Sequence, residues 1–236
     1  MVRPRRRRRI TAEDLSEYGS VVHRTVRVGD AAAGLGVSAT AVRHAIRAAE
    51  IDLSTRYFRF LTGRTEADLS PTASPAGMLQ AAYGRGPRGG LVDAVLAARD
   101  LGVSPGTIRR WAAGTQKPSP QHRKALHAAA RRAAYTKRGR RAATAAFRRS
   151  RQAQKVMQGG RKIWIDGLQG PQLPDYARNR LIMFDFSPAR FEDMLTAYEE
   201  DGDRGFIEWL TACVGEEYVE EWIFYTIEGL GFEEPS

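Results

Sequence analysis

The stretch "DLGVSPGTIRRWAAG" covers residues 100–114, and "GLGVSATAVRHAIRA" covers residues 34–48. The same Leu-Gly-Val-Ser segment thus occurs twice, and each copy leads into a run with helical spacing that carries Arg. Two helices that cross closely need a small residue at the crossing and a turn residue that accepts positive φ. They also need an apolar plug after the turn and a polar cap on the second helix. In the second copy Ala98 is the small residue, Gly102 the turn, Leu101 and Val103 the plugs and Ser104 the cap. Pro105 falls at the first helical position, where a missing N–H costs nothing. Ile108 and Trp111 then face inward, which leaves Gly106, Thr107, Arg109 and Arg110 outward. The first copy repeats the pattern with Ala32, Leu35, Gly36, Val37 and Ser38, and with Val42, Ala45 and Ile46 inward. Its outward set is Ala39, Thr40, Arg43 and Arg47, with His44 beside them. An outward Arg can bridge guanine O6 and N7 or reach a phosphate. The residues expected to touch DNA are therefore Thr40, Arg43, Arg47, Ser104, Thr107, Arg109, Arg110 and Lys117.

Charge supports the same reading. The 236 residues carry a net +10, but unevenly. Residues 1–165 hold 33 Lys/Arg against 10 Asp/Glu, a net +23, whereas residues 166–236 hold 4 against 17, a net −13. Residues 101–162 contain 17 Lys/Arg and no acid. Solvated surfaces normally mix both signs, so this front half is expected to bind a polyanion.

The order of segments follows from composition. Residues 1–19 form a basic arm, suited either to phosphates and a minor groove or to a solubilising tail. Residues 20–63 are the first helix-turn-helix, and 64–90, rich in Pro, Gly, Ser and Thr, read as a linker with a short helix at "GMLQAAYG". Residues 91–130 are the second helix-turn-helix. Residues 131–162 are a basic extension of one or two helices broken at Gly139, lying along DNA, with Tyr135 and Phe147 docking it to the protein. Residues 163–236 are an acidic domain. There Ser187 caps a helix whose Phe191, Met194, Leu195 and Tyr198 share one face. A second helix follows, and "WIFYTI" is either helix or strand. The expected fold is mainly α: two helix-turn-helix units, a basic helical extension and a small α-rich acidic C-terminal domain.

The run from Trp111 through Gly114 and Pro118 to Leu126 resembles the end of the phage-repressor (Xre-like) helix-turn-helix. The first unit looks more like the MerR or excisionase type, with "STRYFRFLTG" as a short wing. Taken in order, the repressor-like unit, the Ala/Arg-rich stretch and "PDYARNRLIMFDFSPARFEDMLTAYEEDGDRGFIEWLT" resemble the telomere-protecting terminal proteins of linear actinobacterial replicons. The resemblance spans roughly residues 78–232 and rests on Ala177, Arg178, Arg180, Ser187, Pro188, Ala189, Met194 and Gly202. It implies a protein that caps the 5′ ends of linear DNA and binds double-stranded telomeric sequence. It also implies partners, a telomere-associated protein and a DNA polymerase, reached through the acidic domain, and a hydroxyl that receives the first nucleotide. The family's priming Ser or Thr is expected just ahead of the Ala-Arg pair. Here that segment is "QGPQLPDYARN", with Gln172, Leu173 and Pro174, and the nearest hydroxyl is Tyr176. Ser150 and Ser187 are the nearest aliphatic ones. The alternative reading is a helix-turn-helix transcriptional regulator of a plasmid or phage-type element; a recombination accessory protein is a third.

Other chemistry finds little support. Cys213 is the single cysteine, so no disulfide framework is possible, which suits a reducing cytoplasm. The N-terminal arginines are not followed by an apolar run, and no stretch approaches the ~18 apolar residues of a membrane helix. A cytoplasmic, nucleoid-associated protein is expected, with a homodimer as one option. The segment "GRGPRG" lacks the preceding strand and the distant acid of a dinucleotide site. His23, His44, His122 and His127 lack metal-ligand spacing. The acid pairs Glu192/Asp193, Glu199/Glu200, Glu216/Glu217 and Glu220/Glu221 read as solvated helix faces. No cofactor, no metal and no enzymatic activity are expected.

Overall fold

The computed structural model describes residues 9–87, 89–159, 161–172 and 176–232. Among these, eleven helices and a four-stranded antiparallel sheet enclose one continuous apolar core. The front half is helical throughout. A short helix α1 (Ala12–Ser16) is followed by α2 (Val28–Leu35), α3 (Ala39–Thr62) and α4 (Pro75–Tyr83). Then come α5 (Ala94–Leu101), α6 (Pro105–Ala112), α7 (Pro120–Tyr135), α8 (Lys137–Arg148) and α9 (Arg151–Gly159).

Helix α3 is the element the sequence reading cut short. Its 24 residues span ~36 Å. The segment 54–63, expected to be a wing, is its C-terminal half. Leu53, Tyr57, Phe58 and Leu61 recur on one face there and are buried, so the helix has a core to lie against. It stops at Gly63, whose φ of 63° only glycine adopts without strain.

The stretch 64–90 is not a free linker. Pro, Gly and Ser mark its ends, but between them α4 buries Met78, Leu79 and Ala81 and packs along α7. The half-buried Arg64 guanidinium donates to the Ala81 carbonyl at 2.6 Å, and Arg123 donates to the Ala73 carbonyl at 3.2 Å. The basic extension is broken at Thr136, not at Gly139. Thr136 Oγ1 donates to the Arg132 carbonyl at 2.7 Å and accepts from Gly139 N–H at 3.0 Å, so one side chain ends α7 and starts α8. Gly139 lies inside α8, where a Cβ would come within 2.1 Å of the Arg132 carbonyl oxygen. Phe147 docks the extension as expected, fully buried, whereas Tyr135 is partly exposed.

The acidic segment carries the sheet that the α-rich expectation omitted. Strand β1 (Arg161–Pro171) is central. It pairs along its length with β2 (Arg178–Phe186), Ile165 opposite Ile182. On its other side it pairs with β3 (Trp222–Phe224) near its C-terminal end and β4 (Gly229–Phe232) near its N-terminal end. "WIFYTI" thus begins with a strand. The sheet buries Ile163, Ile165, Ile182, Phe184 and Phe186 on one face. The helices α10 (Pro188–Asp201) and α11 (Asp203–Glu217) cover it, with Phe186 edge-on to Phe191 and Trp209.

This sheet is not a separate acidic body. Phe60 of α3 stacks on Phe232 at 4.6 Å between ring centroids, and Tyr57 meets Phe206 edge-on at 5.2 Å. Residues from the N-terminal region satisfy the backbone of β3: Ser20 Oγ donates to the Phe224 carbonyl, and Phe224 N–H donates to His23 Nε2. The basic and acidic halves meet again where α8 crosses the end of α10. Arg140, 7% exposed, donates from Nε to the Tyr198 carbonyl at 2.7 Å and from Nη2 to the Glu199 and Glu200 carbonyls, each at 2.9 Å. The last carbonyls of a helix lack intrahelical partners and carry its negative dipole end, so a guanidinium is well matched to them. Gly202 then turns the chain at φ 66°, and a Cβ there would sit 3.3 Å from the Arg140 guanidinium.

Replacing Arg140 by Ala removes a buried guanidinium from the Tyr198, Glu199 and Glu200 carbonyls, of which Tyr198 keeps its bond from Gly202 N–H. Its expected cost is about 2–4 kcal/mol in urea unfolding. The exposed Arg138→Ala should stay within about 0.5 kcal/mol of wild type.

Candidate nucleic-acid interface

The two Leu-Gly-Val-Ser segments adopt the same local geometry. Gly36 has φ 63° and ψ 36°, and Gly102 has φ 67° and ψ 33°. Val37 N–H donates to the Ala32 carbonyl at 3.0 Å, and Val103 N–H to the Ala98 carbonyl at 3.1 Å. Ser38 and Ser104 share nearly the same backbone angles. Ser38 Oγ accepts from Ala41 N–H at 3.2 Å, and Ser104 Oγ accepts from Thr107 N–H at 3.1 Å. Each turn therefore fixes how the following helix leaves the preceding one.

Those helices point their apolar and polar faces as their spacing requires. In α6, Ile108 and Trp111 are buried, and Trp111 lies against His122 with ring centroids 5.2 Å apart. Arg109, Arg110 and Lys117 are exposed, and Thr107 is half-buried. In α3, Val42 is buried and Ala45 and Ile46 are half-buried, while Thr40, Arg43, His44 and Arg47 are exposed. Among the described residues no ion pair engages Arg43, Arg47, Arg109 or Lys117. His44 and Arg47 line a cleft of about 530 Å³ together with Arg59, Ser70, Thr72 and Arg9. Arg9 of the basic arm thus lies at the same cleft, which Asp52 and Asp68 also line. Arg3 and Arg5 to Arg8 lie outside the described residues.

Much of the basic extension is already partnered. Arg148 binds Glu192 at 2.8 Å and Glu199 at 2.5 Å, and Arg141 and Lys137 both bind Glu200. Thr144 Oγ1 also donates to Glu199. Glu192, Glu199 and Glu200 are therefore not merely solvated, and α8 faces protein where it was expected to face DNA. Glu216 and Glu217 likewise hold Arg190. The cations left outward and without an ion pair on this stretch, among the described residues, are Arg131, Arg138, Arg149, Arg151, Lys155 and Lys162.

Tyr176 lies just before β2 and is 54% exposed. Its carbonyl accepts from Arg180 Nη2 at 2.7 Å, and Arg180 lies over the Trp222 ring. Leu173 and Pro174 are outside the described residues. The two aliphatic hydroxyls near it in sequence are both engaged: Ser150 accepts from Ala153 N–H and Ser187 from Arg190 N–H, each at 3.2 Å. Cys213 is buried, and its thiol is pushed up to about 11 by that burial.

One polar cluster escaped the sequence reading. Asp203 at the start of α11 accepts from Ser54 Oγ of α3, beside a cavity of about 220 Å³ lined by Tyr57, Glu50, Arg24 and His23. Burial holds the Asp203 carboxyl above the ordinary aspartate range, against the pull of the Ser54 hydrogen bond and of Arg24 and Arg140. The buried Tyr57 hydroxyl has no hydrogen-bond partner among the described residues. Nothing local to Ser54 or Asp203 in the sequence announces a contact across 149 residues.

No family model matches the chain, and neither a curated protein nor a solved structure is significantly similar to it.

Because the folded-state pKa of Asp203 is raised, the native state holds that proton more tightly than the unfolded chain. The group is then neutral and harmless at low pH. Its penalty grows as pH rises from the ordinary carboxylate range through the raised folded value. Asp203→Asn should therefore be more stable than wild type at neutral pH, with the gap closing in acid, measured by urea unfolding across pH. A gap that stays constant with pH contradicts the assignment.

Proposed function

We propose that this chain is a double-stranded DNA-binding protein in which α2–α3 and α5–α6 act as two helix-turn-helix units. In this reading it works at the ends of linear DNA, as terminal proteins do. The observation that carries the reading is the pair of turns of equal geometry, each followed by a capped helix with outward cations (Arg43, Arg47 and Arg109) that no ion pair engages among the described residues. Arg43, Arg47, Arg109 and Lys117 reach phosphates or base edges, and Thr40, Ser104 and Thr107 stand beside them. Outward cations where α8 gives way to α9, Arg149 after α8 and Arg151 at the start of α9, extend the contact; α8 itself braces the fold.

In this reading the chain supplies binding and a hydroxyl, and a DNA polymerase supplies the chemistry. The Tyr176 phenol oxygen attacks the α-phosphorus of the first deoxynucleoside triphosphate. A tyrosyl phosphodiester forms, pyrophosphate leaves and the phenolic proton passes to solvent. The exposed Leu181, Tyr218 and Val219 on the acidic half suit contact with a telomere-associated protein or that polymerase. No helix among the described residues is long and apolar enough to cross a membrane. We place the chain on the nucleoid, with self-association open to test. The second reading, a plasmid or phage-type regulator, is favoured by one observation: residues 169–176, just ahead of Ala177-Arg178, contain no Ser or Thr.

Incubation with a cognate polymerase, a labelled deoxynucleotide and a telomeric template separates the two. A label that survives SDS and boiling and vanishes in Tyr176→Phe supports priming through the phenol. Absence of any adduct, with duplex binding intact, favours the regulator. Duplex binding itself should weaken with salt at a slope near −5 in log K against log [NaCl], as about six phosphate contacts require. A slope near zero removes the electrostatic basis of the proposal.

A further inference from the structure

The two adjacent arginines of α6 are held quite differently. Arg109 is exposed, with no partner among the described residues. Arg110, equally exposed, is fixed at two points. Its Nε–H donates to Gln116 Oε1 at 2.8 Å, and its Nη2–H donates to Thr107 Oγ1 at 3.2 Å. Thr107 Oγ1 is in turn 3.0 Å from the Ser104 hydroxyl that caps the helix. Gln116 is itself positioned. Gly114, at φ 73°, turns the chain back, and the N–H groups of Thr115 and Gln116 donate to the Arg110 carbonyl at 3.0 and 3.3 Å. The loop after α6 therefore closes on the backbone and the side chain of one residue.

A guanidinium has five N–H donors in a fixed plane. The edge formed by Nε and Nη2 is occupied by Gln116 and Thr107. The end edge, where one N–H of Nη1 and one of Nη2 run parallel, has no hydrogen-bond partner among the described residues. Guanine is the base whose major-groove edge presents two adjacent acceptors, N7 and O6. Adenine sets a donor beside its acceptor, cytosine a donor, and thymine one acceptor next to a methyl group. A flexible Arg loses rotamer freedom when it docks; one already held in place loses less.

We propose that Arg110 reads a guanine in the major groove, that Gln116 and Thr107 are positioning residues that aim it, and that Arg109 serves the phosphate backbone. This rests on the duplex-binding reading above. It adds the base class recognised, and assigns a role to Gln116, a residue outside the set expected to touch DNA.

The test uses the full chain. Selection from a randomised duplex library gives the preferred site. Binding is then measured on that duplex, on duplexes with each other base pair at the preferred G, and on one carrying 7-deazaguanine there, which lacks the N7 acceptor. Arg110→Ala should abolish a preference of about 10- to 100-fold. Gln116→Ala should reduce it by about 3- to 10-fold with little change on non-cognate duplex, and Gln116→Glu, which keeps an acceptor, should retain it. Arg109→Ala should weaken every duplex alike. The 7-deazaguanine penalty should be present in wild type and absent in Arg110→Ala. If Gln116→Ala changes nothing or lowers all affinities equally, or if the preference follows Arg109, the positioning role is wrong while DNA binding stands. If no duplex binds at low ionic strength, both this inference and the proposed function fall. Gln116 is exposed, so thermal melting should be unchanged and folding is not the readout.

Discussion

The placement of charge depends on one guanidinium. Arg140 leaves the most basic part of the chain and enters the core to close the C-terminal end of α10. A buried cation is costly unless its donors are met, and helix-end carbonyls are among the few groups able to meet them without a second buried charge. Around that contact Lys137, Arg141 and Arg148 engage Glu200, Glu192 and Glu199. A chain that divides into +23 and −13 thereby neutralises part of itself internally. What remains outward on the front half is a smaller, better defined set of cations.

Helix α3 connects that outward set to the core. Its first turns carry Arg43 and Arg47 on a solvent face, and its last turns carry Tyr57 and Phe60 against Phe206 of α11 and Phe232 of β4. A single rigid helix thus holds the exposed face by its far end. The second unit is held differently, by α4 lying on α7 and by Trp111 under α6. Both arrangements pack a cap-initiated helix against a buried support, which recognition by fixed hydrogen bonds requires.

What was legible in the sequence was whatever local rules decide. A glycine that must be left-handed, a serine that must cap and apolar residues three or four apart placed both turns and both exposed faces. The sheet was not legible, because Ile163-Trp164-Ile165 and Leu181-Ile182-Met183-Phe184 are continuous apolar runs that fit a buried helix as well as a strand. The β4 partners of the first run, Phe232 and Leu230, come from far along the chain. Helix α4 was obscured by the Pro, Gly and Ser at its ends, although Met78 and Leu79 sit together inside it. The pairing of Arg148 with Glu199 spans 51 residues, and composition reports totals, not partners. Tyr176 is the hydroxyl nearest to Ala177-Arg178, ahead of which the family resemblance places a priming residue, while Ser150 and Ser187 accept capping bonds.

The central claim is that the cations beyond the two left-handed turns face a duplex. Its most direct test is the affinity of the full chain for double-stranded DNA at low ionic strength, compared with a variant carrying Arg43→Ala, Arg47→Ala, Arg109→Ala and Arg110→Ala together. The expected result is a loss of about 100-fold or more with an unchanged melting curve. Affinity retained within about twofold would mean that these faces look elsewhere, and would contradict the claim.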